Sequence, residues 1–149
     1  VTLRFDPATL RAVRDHGERA YPDEGAGLLL GHLEADDIRH VTHWRPLENR
    51  WDAAGRKRRY QLDPRDLMRI EDDAERDGLA VLGVFHSHPD HPPRPSAFDL
   101  EHALPYYSYL ITSVDSGAAG ESRAWRLADD RSEFAEEAIQ TADRQEDLR

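Results

Sequence analysis

No cysteine occurs in the 149 residues. That removes disulfides, thiolate nucleophiles and Cys-ligated zinc together, and leaves His, Asp and Glu as the strong ligands open to any metal ion. Lysine is almost as scarce, with Lys57 alone among twenty basic residues, a bias that reflects genome composition before function. No apolar run approaches the roughly 18 residues of a membrane span, and the N-terminal stretch has no signal-peptide core, so a cytoplasmic protein without membrane partners is expected. A sustained basic face is missing as well, and the net charge of −10 argues against nucleic acid as a partner, because such binding rests on phosphate neutralisation. The acidity is concentrated: residues 129–149 hold eight acids against three arginines, half of the net charge. No internal repeat or low-complexity tract interrupts the chain.

What is present fits one domain, expected over 1–142, with a polar tail over 143–149 that frays. The stretch Ala80-Val81-Leu82-Gly83-Val84-Phe85 is apolar, partly β-branched and of strand length, and it runs straight into His86-Ser87-His88-Pro89. In extended backbone, His86 and His88 share one face and Ser87 points to the other. Two imidazoles about 6.6 Å apart along a strand can converge on one ion at nitrogen–metal distances of roughly 2 Å.

Around this stretch the remaining elements fall into place. Thr2 to Phe5 reads as a short strand, and Asp6-Pro7 as a helix start with an N-cap acceptor and a proline at the first helical position. That helix runs to about Ala20, with Leu10, Val13, Gly17 and Ala20 on its inner stripe, before Tyr21-Pro22-Asp23 breaks it. Residues 24–32 read as a central strand whose glycines allow close backbone approach, with Glu24 at its mouth. After a turn over 34–37, residues 38–44 suit a strand with one wet face. Periodicity then disappears over 45–59, a long surface loop carrying Trp51 and the run Arg56-Lys57-Arg58-Arg59. The run is either a solvated face or a docking patch for an acidic partner. Asp63-Pro64 opens a second helix with Leu67, Ile70 and Ala74, which Gly78 closes. Four prolines between Pro89 and Pro95 make an irregular loop of little conformational freedom. Ser96-Ala97-Phe98-Asp99 starts a short helix, residues 107–114 and 122–127 form a hairpin, and Ser132 begins a last amphipathic helix with Phe134, Ala138 and Ile139 facing in. The sum is an α/β (α+β) fold: a mixed, largely antiparallel sheet flanked by helices.

Two neutral imidazoles and one carboxylate hold a divalent zinc ion with a fourth position open, the pattern of catalytic rather than structural sites. His86, His88 and Asp99 are the candidate ligands. Such an ion activates water near neutral pH and polarises a carbonyl, so peptide or amide hydrolysis is the natural reaction. A general base is then needed, and Glu24 is the candidate, although any of thirty acids could serve and Glu24 also reads as an exposed acid before a strand. Ser96 can donate to a tetrahedral oxyanion, and Ser96-x-x-Asp99 is equally a helix-capping pattern; both roles can coexist. His91 lies in the proline-rich loop, where a solvated or substrate-contacting role outweighs ligation. His16, His32, His40, His43 and His102 lack ligand spacing. A Ser-His-Asp nucleophile is disfavoured, since Ser87 faces away from its neighbours and no G-x-S-x-G elbow occurs.

With these residues in view, the chain resembles the JAMM/MPN+ zinc metallopeptidases of the short, single-domain prokaryotic type. The family motif is a glutamate opening E-x-x-G, then H-[ST]-H, seven residues beginning with proline, S, two residues and D. Here it reads Glu24-Gly25-Ala26-Gly27, His86-Ser87-His88, residues 89–95, Ser96 and Asp99, every position matching. The resemblance extends through YQLDPRDL from Tyr60 and SYLITSV from Ser108, and is weakest in the 45–59 loop and the acidic tail. It implies a cytidine-deaminase-like JAMM/MPN fold, zinc on His86, His88 and Asp99, Glu24 as general base and Ser96 assisting at the oxyanion. Similar enzymes cut after the C-terminal Gly-Gly of ubiquitin, ubiquitin-like or sulfur-carrier proteins, which makes such a carrier conjugate the expected substrate. Because such tails dock as added strands, the 45–59 loop is a candidate docking surface. The alternatives are a non-catalytic MPN scaffold, which typically lacks the ligands, and a RadC-like protein of DNA metabolism. The acidic chain and the E-x-x-G strand start argue against the latter.

Overall fold

The apolar run that leads into the histidines forms a strand covered on both faces and both edges, which is why nearly all of its positions can be apolar. In the computed structural model, which describes residues 2–141, the strands are β1 (Thr2–Phe5), β2 (Ala26–Glu34), β3 (Ile38–Leu47), β4 (Ala80–Pro89), β5 (Ser108–Asp115), β6 (Ala118–Leu127) and β7 (Phe134–Thr141). The helices are α1 (Pro7–Ala20), α2 (Pro64–Arg76) and α3 (Ala97–His102). The expected fraying tail over 143–149 lies outside the described residues.

The strands pair in the order β1-β3-β2-β4-β5-β6-β7, and β7 returns to lie parallel to β1. The sheet is mixed, as expected: β2 runs antiparallel to β3 and β4, and β6 to β5 and β7, whereas β1 with β3, β1 with β7, and β4 with β5 are parallel. Helix α1 packs one core, containing Leu3, Phe5, Val13, Leu29, Val41 and Phe85. Helix α2 packs the other, containing Leu28, Leu30, Ile70, Ala74, Val84 and Tyr109. Both helices begin at their Asp-Pro pairs, but only at α2 does the aspartate cap as expected, Asp63 accepting from the Arg65 amide; at α1 the Asp6 carboxylate makes no cap bond and pairs with His40 instead. No helix of the described residues is long and apolar enough to cross a membrane.

The register around β4 sets which way the histidines face. Leu29 pairs with Gly83 and Leu30 with Val81, so Leu82 is an extra residue without a partner on β2. The bulge puts Leu82 in the α1-side core and Val81 against the α2-side core. Beyond it, Val84, His86 and His88 lie on the α2 side. Ser87 lies on the α1 side, where a β-carbon added to Gly17 would sit 3.4 Å from the Ser87 Cβ. Gly83 is required at the bulge, because any β-carbon there would collide with the Ser108 carbonyl on β5.

One expectation is corrected. The amphipathic helix beginning at Ser132 is instead strand β7, paired with β6 on one side and β1 on the other. The Phe134/Ala138/Ile139 spacing suits a helix, but two open strand edges and one polar contact override it. Buried Glu137 accepts hydrogen bonds from Ser108 Oγ at 2.9 Å and Arg126 Nε at 3.1 Å, partners that β7 reaches as a strand packed beside β6. The 45–59 loop also begins later than expected, since β3 continues to Leu47.

Candidate metal centre

The site sits where β4 leaves the core beside the start of β2. Ala26 pairs with His86, and one residue further out the strands exchange two bonds, Ser87 N–H to the Gly25 carbonyl at 3.0 Å and Gly25 N–H to Ser87 Oγ at 2.8 Å. Ser87 thus faces away from the histidines, as expected, and its hydroxyl fixes the segment that carries Glu24. Ser87→Ala leaves the Gly25 N–H buried without an acceptor, and is expected to cost about 1–3 kcal/mol in denaturant unfolding. An unchanged midpoint would show that the hydroxyl holds nothing.

His86, His88 and Asp99 meet in a triangle. His86 Nε2 lies 3.2 Å from His88 Nε2 and 3.3 Å from Asp99 Oδ2, and His88 Nε2 lies 3.2 Å from that same oxygen. Donors around a tetrahedral ion at about 2.0–2.1 Å stand roughly 3.3–3.4 Å apart, so the triangle has the edge lengths of three such ligands. A donor atom of Glu24 comes within 4.8 Å of the imidazole donors, so two carboxylates approach the pair. Asp99 Oδ2 lies within hydrogen-bonding distance of both ring nitrogens, whereas Glu24 Oε1 has no hydrogen-bond partner among the described residues, so Asp99 is the better-placed candidate for a third ligand. The residues therefore fit a metal ion, with His86, His88 and Asp99 able to hold it.

Neighbouring groups hold each donor in place. His88 Nδ1 lies 2.9 Å from the Pro92 carbonyl, which only accepts, so Nδ1 carries the proton and Nε2 keeps its lone pair for a metal. Trp125 Nε1 donates to the neighbouring Pro93 carbonyl at 3.0 Å, fixing the proline-rich loop from β6. Tyr60 stacks on His86 with ring centroids 4.5 Å apart. Ser96 and Asp99 form a reciprocal capping box at the start of α3: Ser96 N–H donates to Asp99 Oδ2 at 2.8 Å and Asp99 N–H to Ser96 Oγ at 3.1 Å. The oxygen that faces the two imidazoles is thus the one the cap holds. Ser96 Oγ accepts in that cap, leaving its proton free to donate, and the residue is exposed.

The electrostatics separate the two carboxylates. Burial works to raise the Asp99 pKa, but the His86 charge and hydrogen bond, with those from His88 and the Ser96 amide, hold it far below the usual carboxylate range. Glu24 is pushed up to about 9, by burial first and by the Asp99 charge second. The residue is 3% exposed, and its Oε1 has no hydrogen-bond partner among the described residues. The reading of Glu24 as an exposed acid therefore fails. His86 Nδ1 is likewise buried without a partner, and burial lowers the His86 pKa.

The other histidines stay out of the centre. His91 is exposed, with its ring centroid 6.3 Å from that of His88. His40 pairs with Asp6 at 2.7 Å and Glu34 at 2.8 Å, and His16 packs edge-on against Trp44. Beside Asp99 opens an apolar cleft of about 210 Å³ flanked by Trp51, Tyr60, Phe98 and Tyr109. Sequence reasoning did not single out Tyr60, the Pro92 carbonyl or Asn49 as site residues. For Tyr60 the available signals are its place just before the second Asp-Pro helix start and at the head of the YQLDPRDL stretch.

The family model for prokaryotic homologs of the JAB domain matches residues 6–128. A protein of Haloferax volcanii named "Desampylase" is 41% identical over 95 residues, covering 63% of this chain and 65% of that protein. A "Probable TtuB-protein conjugate cleaving protease" of Thermus thermophilus is 32% identical over 108 residues, covering 71% of this chain and 66% of that protein. In both cases the chain spans just under two thirds of the relative's length. Among solved structures, the solution structure of a Salinibacter ruber protein superposes with a TM-score of 0.73 at 44% identity, covering 95% of this chain and 93% of that one.

Proposed function

Since the chain belongs to the family of prokaryotic homologs of the JAB domain, we propose that it is a zinc-dependent peptidase. Its reaction is hydrolysis of the amide bond after the C-terminal Gly-Gly of a ubiquitin-like or sulfur-carrier protein. The observation that carries this reading is the buried His86–His88–Asp99 triangle with the unpartnered Glu24 carboxylate beside it. The names of the two relatives, a desampylase and a protease that cleaves TtuB–protein conjugates, support a protein conjugate as the substrate class. JAMM/MPN+ membership, expected from the motif, is borne out by the family match.

An N, N, O donor set with tetrahedral spacing suits zinc. When bound by His86, His88 and Asp99, zinc supplies Lewis-acid polarisation of the scissile carbonyl and activation of the attacking water. Glu24 takes the proton of that water and delivers it to the leaving amine. Burial keeps Glu24 protonated in the metal-free protein, and a dication in the site would favour the carboxylate that this role needs; Oε1, without a partner among the described residues, then has no standing hydrogen bond to break. Ser96 donates to the oxyanion with the proton its capping role leaves free. The Pro92 carbonyl keeps His88 in the ligating tautomer, and Tyr60 fixes the plane of the His86 ring. The apolar cleft beside Asp99 offers one side of the site a largely apolar wall for the substrate. A cytoplasmic setting belongs to the same proposal.

The test is a panel of carrier proteins with Gly-Gly tails, amide-linked to lysine or to a small amino acid, incubated with the zinc-loaded protein. Cleavage after the second glycine, abolished by a chelator and restored by zinc, is the expected result. A protein that binds zinc and cleaves none of the conjugates would overturn the reading.

A further inference from the structure

If the Glu24 carboxylate must stay unpartnered to accept a proton, something other than its side chain has to hold it in place. The backbone does so. Glu24 N–H donates to the Arg56 carbonyl at 2.7 Å, and the Glu24 carbonyl accepts from Asn49 Nδ2 at 3.0 Å. With Gly25 locked onto Ser87, both peptide groups flanking the Glu24–Gly25 link are fixed by partners distant in sequence.

Asn49 is the hub of this arrangement. Its second Nδ2 hydrogen goes to the Arg59 carbonyl at 3.0 Å, and its Oδ1 accepts from the Trp51 amide at 3.0 Å and the Gln61 amide at 3.2 Å. All four hydrogen-bonding positions of the amide are used, three within the 48–61 segment and one on Glu24. The loop is further closed by Arg50 N–H to the Gln61 carbonyl at 2.8 Å and by Arg59 lying over Trp51 and Phe98. A segment with no helix or strand of its own is thus tied into a fixed shape, and among the described residues its one side-chain hydrogen bond to the stretch leading into β2 ends on Glu24.

We propose that Asn49 is a positioning residue: it clamps the 48–61 loop to the Glu24 backbone and thereby keeps the Glu24 carboxylate aimed at the reacting atoms. The inference rests on Glu24 being the base. It differs from a docking role for the same loop in what it predicts, because a docking surface acts on KM and a clamp on the base acts on kcat.

Two variants separate the halves of the clamp. Asn49→Asp keeps an acceptor for the Trp51 and Gln61 amides and removes both donors, so two of the three bonds within the loop remain while those to Arg59 and Glu24 are lost. Asn49→Ala removes everything. For zinc-loaded Asn49→Asp, kcat on a cleaved Gly-Gly conjugate is expected to fall by about 10–100-fold, the scale of a misplaced reacting group, with KM and zinc affinity within about three-fold of wild type. Amide exchange at Glu24, followed by mass spectrometry in the metal-free protein, is expected to speed up by at least about ten-fold as its bond to Arg56 loosens. Unchanged exchange at Glu24, or a raised KM with unchanged kcat, would overturn the clamp. If the wild-type protein cleaves no conjugate, the functional reading fails instead, and the exchange measurement alone decides whether Asn49 holds Glu24.

Discussion

Glu24→Gln is expected to lower turnover by about 10²–10⁴-fold, the usual contribution of a positioned general base, while zinc uptake stays intact. Glutamine matches the carboxylate in shape and hydrogen-bonding reach but cannot take the proton. The donors best placed for the metal, His86, His88 and Asp99, are untouched. The same substitution is expected to stabilise the metal-free protein at neutral pH. Glu24 has its pKa raised from 4.5 to about 9 by burial and by Asp99, so the unfolded chain ionises this group first and the native state binds the extra proton. Stability is therefore fully present below about pH 4.5 and declines as pH rises towards 9, by up to about 1.4 kcal/mol per unit. A dication in the site would favour the charged carboxylate and shrink that slope. Urea unfolding of the chelator-treated protein at pH 5 and pH 8 checks this. Equal slopes for wild type and Glu24→Gln would remove the buried-acid account, and equal turnover would remove the base.

Asp99→Asn is expected to have the second large effect, on metal binding rather than on proton transfer. Zinc affinity should fall by more than the roughly 10–100-fold that loss of an outer-shell partner costs, with activity falling in step. Asparagine keeps an oxygen that can accept from the Ser96 amide, so the capping box and α3 survive. What disappears is the negative charge that sits 3.2–3.3 Å from both imidazole nitrogens. Calorimetric titration of the metal-free variant with zinc, beside its far-ultraviolet circular dichroism, distinguishes ligand loss from unfolding. Wild-type affinity in a folded Asp99→Asn would mean that Glu24, the other carboxylate within reach, is the third ligand instead.

The parts of the site that are legible in the sequence are those built by local rules. A buried strand alternates its side chains, so His86 and His88 had to share a face once β4 was recognised. Ser96-x-x-Asp99 caps a helix wherever it occurs, and here the cap also aims the Oδ2 that meets the histidines. The unread parts depend on contacts between segments far apart. Asn49 in a loop without periodicity is indistinguishable from any polar residue until the Glu24 carbonyl lies against it, and the Pro92 carbonyl carries no side-chain signal at all. The helix expected from Ser132 failed for the same reason. Ala and Glu favour a helix in isolation, and only the open edges of β6 and β1, with the buried partners of Glu137, make the strand the better solution.

The parallel pairing of β1 with β7 carries a consequence for how the chain acquires its shape. Thr2 lies opposite Ile38 on one side and Ala138 on the other. The first neighbour is available early in synthesis, whereas the second requires closing a loop of nearly the whole chain. A nascent chain can therefore assemble the β1–β3–β2–β4 portion, histidines included, while one edge of β1 stays unpaired. Long-range closure of this kind is slow and leaves a strand edge exposed meanwhile. Synthesis of β7, rather than of the segment that carries the histidines, then sets when this edge of β1 becomes protected.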